Sequence, residues 1–181
     1  MKKNKNAEQK AMNNNFFYVF DKKNLLKIFK IARQSLFSNV FKILEMLEIQ
    51  NSELSLTLCS DRQIHKLNLK YRNKDYPTDV LSFSMSEINE ETERNYLGDI
   101  VISADTVMRN ASEFNERPEI EFYRILIHGI QHLAGFTHET EKKYKMMMDK
   151  NKRILNCVEI QPIKPGLTNK CKARLVAAQK F

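Results

Sequence analysis

Ile127-His128-Gly129-Ile130-Gln131-His132-Leu133-Ala134-Gly135-Phe136-Thr137-His138 is the stretch around which the rest of the chain has to be arranged. His128 and His132 stand four residues apart, so on a helix their imidazoles leave one face, one turn apart. Two ring nitrogens placed that way can reach one ion at about 2 Å each. Gly135 takes a left-handed turn without a Cβ penalty, which ends the helix and returns His138 to the same ion. Three neutral donors with an open fourth position describe a catalytic metal; a structural one commonly has four protein ligands. A lone helical histidine is usually an ordinary surface or core residue. Here three of the chain's four histidines fall within eleven residues. Zinc is the expected ion, one per chain, although nickel, copper and iron also suit imidazole. His65 has no such company and reads as an ordinary helix residue.

H-x3-H-x5-H with an intervening glycine is also the spacing of metzincin proteases. Those carry Glu directly after the first histidine, as the base that activates water at the metal. That position is Gly129 here. A conventional protease lacks its proton acceptor in this chain.

Outward from the motif, Pro118 suits the first turn of the helix that carries it, and Thr140 opens a last amphipathic helix to about Leu155 with Tyr144, Met147, Met148 and Ile154 inward. Leu97–Ser103 reads as a strand, with Ser103 capping a helix to about Phe114. Val80–Met85 is a further strand after the polar turn Tyr76-Pro77-Thr78-Asp79, and 86–95 an acidic loop. Leu54, Leu56 and Leu58 alternate with Ser and Thr, the pattern of a half-buried strand. Asp61 is the expected cap of a short helix carrying Ile64, Leu67 and Leu69. From Leu25 to Ile49 the apolar residues fall at helical spacing, with a possible break at Ser38-Asn39, and Phe16–Phe20 forms a first strand. These elements predict an α+β class: one domain over 15–160, a small mixed sheet of about four strands, and five or six helices around a zincin-like metal helix. Residues 1–14 read as a disordered basic N-terminus and 161–181 as a basic C-terminal tail.

The net charge of +8 is unevenly spread. Residues 1–30 carry eight Lys against two acids, and residues 150–181 eight Lys/Arg against one. The middle has fourteen Lys/Arg against nineteen acids. Basic ends commonly meet polyanions such as nucleic acid, and equally serve as solvated tails. Three cysteines without a CxxC pair fit a reducing cytosol rather than a disulfide framework. No run approaches the roughly 20 apolar residues that span a bilayer. A cytoplasmic protein with no membrane partner is expected.

With the protease base missing, the motif resembles that of the YbeY family of bacterial metal-dependent endoribonucleases, which act in ribosomal RNA maturation. Its H-G-x-x-H-L-x-G-x-x-H pattern is matched by His128, Gly129, His132, Leu133, Gly135 and His138. Two further blocks follow the family's order: Leu67-Asn68 with Tyr71–Phe83, and Leu97–Ile102. The chain departs from the pattern at Thr137, commonly Asp, at Gln131, usually apolar, and at Ser84, usually Pro. The resemblance implies cleavage of single-stranded RNA, with rRNA or ribosomal particles as partner. It makes Arg72 the expected catalytic residue, a planar fork suited to a bidentate phosphate contact. Lys70 and Lys74 flank it, and Tyr71 or Tyr76 is placed to stack on a base. Asp99 is a candidate base, although a structural role at a strand end ranks higher. Two other function classes remain at this stage: a metal-dependent hydrolase of another substrate, such as an atypical peptidase, and a ribosome-associated RNA-binding factor without chemistry.

Overall fold

Strand alternation decides which side chains meet which helices. In the computed structural model, which describes residues 7–12, 15–21, 23–89, 93–158 and 160, five strands form one mixed sheet. They are β1 (Ala7–Met12), β2 (Asn15–Phe20), β3 (Ser52–Cys59), β4 (Val80–Asn89) and β5 (Arg94–Ser103), in the order β1-β2-β3-β5-β4. β2, β3 and β5 are parallel, while β1 and β4 run antiparallel to their neighbours. Five α-helices accompany them: α1 (Arg33–Met46), α2 (Asp61–Arg72), α3 (Ala104–Glu113), α4 (Pro118–Leu133) and α5 (Glu141–Cys157).

Leu54, Leu56 and Leu58 of β3 and Ile100 and Ile102 of β5 point to one face, where α1, α4 and α5 contribute Leu36, Val40, Phe122, Leu126, Ile130 and Ile154 to the main core. The residues between them point to the other face. There Cys59, Leu81 and Val101 meet Ile64 of α2. β3 is therefore covered on both sides and almost wholly buried, not half-buried as its alternation suggested. Its polar positions are satisfied in place: the Ser55 hydroxyl, for instance, donates to the Asp99 carboxylate.

Several expectations need correction. β2 to β5 are the four strands anticipated, but Ala7–Met12, placed in a disordered N-terminus, pairs as a fifth, edge strand. Polar residues suffice there, because an edge strand needs only main-chain partners on one side. Residues 1–6 and 161–181, the remainder of the two basic ends, lie outside the described residues. α1 runs unbroken through Ser38-Asn39, with Asn39 buried. The break falls earlier, after a single 3-10 turn at Leu25–Lys27, where Lys30 adopts φ 58°. Ile28 and Ala32 are consequently exposed, and Leu26, Phe29 and Ile31 face the core. Leu69 of α2 is likewise exposed.

Asp61 does not cap α2. Ser60 does, in a capping box with Gln63. Asp61 instead accepts from the hydroxyls of Ser103 and Thr106 at 2.6 Å each and from Arg109, tying α2 to the β5–α3 junction. Burial pushes its carboxyl up, but these hydrogen bonds outweigh it and hold the group below the usual carboxylate range. The strands β4 and β5 extend into the segment expected as an acidic loop. Their pairing shifts register between Ser84 and Glu87. Gly98 lies opposite, at φ 128°, where a Cβ would come within 1.9 Å of the Phe83 carbonyl oxygen.

Candidate metal centre

α4 begins with Pro118 in its first turn and ends at Gly135, φ 82°. Phe136 N–H donates to the Gln131 carbonyl and Gly135 N–H to that of His132, the paired bonds of a Schellman turn. This turn sends residues 136–138 back along the helix. His128, His132 and His138 each then offer one ring nitrogen, all within 4.8 Å of one another. The His128 and His132 Nε2 atoms stand 3.1 Å apart, and the His138 ring stacks on that of His128 with centroids 6.0 Å apart.

The tautomer of His132 follows from its surroundings. Its Nδ1 lies 3.1 Å from the Phe136 carbonyl oxygen, which can only accept. Nδ1 therefore carries the proton and Nε2 turns its lone pair to the cluster. The Schellman turn that returns His138 thus also fixes His132. Burial, and next the neighbouring His132, push the His128 pKa down to about 4. Burial and His138 push His132 down as well. Both rings are neutral donors at neutral pH, the form a metal requires. Two nitrogens about 2.0–2.1 Å from one ion at the tetrahedral angle stand about 3.3 Å apart. The observed 3.1 Å fits one transition-metal ion.

Gly129 has a second reason to be glycine. A Cβ there would meet Ile100 Cγ2 at 3.1 Å, Ser82 Oγ at 3.3 Å and Val80 Cγ2 at 3.4 Å. α4 lies flat on β4 and β5 at this point, and Ser82 Oγ donates to the Gly129 carbonyl at 3.2 Å. A side chain at 129 would start into this packing against β4 and β5. Asp99 is no substitute. Ile100 faces α4, so Asp99 leaves the opposite side of β5, where Ser55 and Tyr96 donate to its Oδ1. Its role is structural.

The carboxylate that does act on the cluster is Asp79, whose charge raises the proton affinity of His128 against the larger lowering effects. Its Oδ1 accepts from Val80 N–H at 2.8 Å and Thr78 Oγ1 at 3.1 Å, which holds it at the entry to edge strand β4. Sequence reasoning quoted Asp79 without giving it a role. The available signal was its position one residue before Val80, and the β4–α4 packing that uses this signal is long-range. Arg72 ends α2 and is exposed, and its charge lowers the proton affinity of His132. The loop between Arg72 and Asp79 crosses the sheet edge at β4, and buried Asn68 pins it by donating to the Tyr76 carbonyl at 2.8 Å. Tyr71 and Tyr76 are exposed on this loop side, with the ammonium groups of Lys70 and Lys74 at 4.8 and 5.8 Å from their respective ring centroids.

The two departures within the motif have distinct surroundings. Thr137 is exposed and accepts from Lys143 Nζ at 3.4 Å. Gln131 is fully buried between α4 and α5: its Nε2 donates to the Met147 carbonyl, and its Oε1 accepts from Asn151. Tyr144, expected in the core, is exposed instead, its ring edge-on to His138 at 6.4 Å. Only Met147, Asn151 and Ile154 of α5 are buried. His65 pairs with Asp75 at 2.7 Å, as an ordinary helix residue does. Burial, then Asp105 and Asp61, push the Cys59 thiol up to about 12, so it is no nucleophile.

Among known proteins, a family model described as Endoribonuclease YbeY matches residues 18–159. A protein of that name from Borreliella afzelii is 40% identical over 143 residues, covering 72% of this chain and 94% of the relative. Its counterpart in Syntrophomonas wolfei is 32% identical over 151 residues, 79% of this chain and 97% of the relative. The solution structure of TM1509 from Thermotoga maritima superposes with a TM-score of 0.51 at 31% identity, covering 81% of this chain and 97% of that one.

Proposed function

The chain belongs to the endoribonuclease YbeY family, and from that premise we propose that it is a metal-dependent endoribonuclease that cuts single-stranded RNA during rRNA maturation in the cytoplasm, with zinc held by His128, His132 and His138. The observation that carries this reading is the clustering of three imidazoles on a helix that has Gly129, packed tightly on the sheet, where a protease has its glutamate. When bound, the ion would supply Lewis-acid polarisation of a phosphoryl oxygen and acidify a water toward a pKa of about 7.

The protein's own groups do the rest. His132 is oriented by the Phe136 carbonyl, so its Nε2 stays in place through turnover. Arg72 holds the scissile phosphate through its planar fork and neutralises charge that develops there. Asp79 places a negative charge on the His128 side, in the role that Gly129 cannot fill. Asn68 of α2, the helix that ends in Arg72, ties down the loop that leads to Asp79 by fixing Tyr76.

Elemental analysis of the purified protein, paired with RNA cleavage and far-UV circular dichroism, tests the proposal. Wild type is expected to carry about one zinc per chain and to cleave an unpaired rRNA fragment. His128→Ala should keep its fold and lose both metal and cleavage. Cleavage by the metal-free variant at the wild-type rate would refute it. Arg72→Glu tests the clamp: it should retain metal and lose at least about tenfold in kcat/KM.

A further inference from the structure

The chain has six tyrosines, and their exposure separates them into two groups. Tyr18, Tyr96 and Tyr123 are buried or half-buried in the sheet and its core. Tyr71, Tyr76 and Tyr144 are each more than half exposed, at 57%, 52% and 51%. They stand on different elements, Tyr144 against His138 and the other two beside Arg72, whose charge reaches His132. Tyr71 and Tyr76 bracket Arg72 on the α2–β4 side, and Tyr144 projects from the first turns of α5 against His138. Single exposed rings are common, as Phe114 at 63% shows, so it is their placement about Arg72 and His138 that singles out these three.

Two of the three are set on ordered structure. Tyr71 packs edge-on against Phe83 at 5.1 Å and carries Lys70 over its face. Tyr144 is anchored one turn before buried Met147, and the Thr140 hydroxyl caps its helix by accepting from Lys143 N–H. A rigid aromatic beside a cation is what a stacked base next to a phosphate requires.

Resting on the endoribonuclease reading, we infer that Tyr144 is a positioning residue that stacks on a base on the His138 side of the scissile phosphate, while Tyr71 and Tyr76 receive bases on the Arg72 side. The RNA strand then crosses the metal centre between two aromatic walls, with its phosphate held by Arg72. Stacking needs an unpaired base, because in a duplex the faces are already occupied by neighbouring bases. The two walls therefore select single-stranded substrate, and they tolerate sequence because every base has a π-face.

The protein has no tryptophan, so Tyr144→Trp places a single fluorophore at the proposed contact. The zinc-loaded variant is titrated with an unstructured oligoribonucleotide and with a duplex of the same length; Ile28→Trp, at an exposed position just after the 3-10 turn, is the control. Saturable quenching by the single strand is expected at position 144 only. In steady-state cleavage, Tyr144→Ala should raise KM by at least about fivefold with kcat little changed, and Tyr144→Phe should recover that loss. Equal quenching at both tryptophans, a KM unmoved in Tyr144→Ala, or failure of Phe to rescue would overturn the stacking role while leaving the nuclease reading intact. If wild type does not cleave RNA at all, both fall together.

Discussion

His128 sits where burial, two other imidazoles and Asp79 all bear on one ring, and its titration reports their balance. Its folded pKa of about 4 lies below the ordinary 6.5. Between those values the unfolded chain binds more protons than the folded, metal-free protein, so stability rises with pH across that window. The His128 contribution to the stability of the metal-free protein should accordingly be lost from pH 6.5 down to 4 and be constant below it, where carboxylates such as Asp61 take over the further loss. In His128→Gln the same profile should be flatter. Asp79 opposes the depression, so Asp79→Asn should drive the His128 pKa lower still. An imidazole proton titration by NMR checks this, and an upward movement would contradict the placement of Asp79 beside the ring.

The element that most shapes the site is the α4–α5 pair. Between the facing sides of these helices Gln131 and Asn151 form a buried polar link: Gln131 donates to Met147 on α5, and Asn151 donates back to the Arg124 carbonyl on α4 at 3.1 Å. Gln131 immediately precedes His132, so this link fixes the seat of α5, and with it Tyr144, against the metal helix. Gln131→Leu or Asn151→Leu alone strands a buried partner and should cost about 1–3 kcal/mol. The double variant removes both groups and should cost less than the sum. A double-mutant cycle in urea measures the coupling, and strict additivity would show that the two residues do not act together. How far these elements were legible from the chain depends on the range of their determinants. α4, its Pro118 start and its Gly135 stop rest on local rules, and the three histidines came with them. β1 and the unbroken α1 did not, because edge pairing and the burial of Asn39 are tertiary. Tyr144 was misplaced for a related reason: helical spacing identifies a stripe, but α4 covers only the Met147 part of it. Asp79 needed the contact between β4 and α4, which spacing along the chain does not show.

At the scale of the whole molecule, charge and aromatic exposure converge on one use. Exposed tyrosines and lysines flank Arg72, exposed Tyr144 meets His138, and no helix among the described residues is long and apolar enough to cross a membrane. Residues 161–181 add five Lys/Arg and no acid. Each phosphate neutralised on a single strand contributes about −0.7 to the slope of log affinity against log salt. Removing 161–181 should therefore make the slope shallower by about 1–3 units. An unchanged slope would show that this basic end is a solvated tail.

Titration of zinc into the metal-stripped protein, with the rate of single-stranded RNA cleavage followed at each addition, tests the metal centre most directly. Cleavage should be absent at the start, rise linearly and break at one equivalent per chain, and His128→Ala should stay inactive throughout. Full cleavage by the stripped protein, or a rate indifferent to zinc, would contradict it.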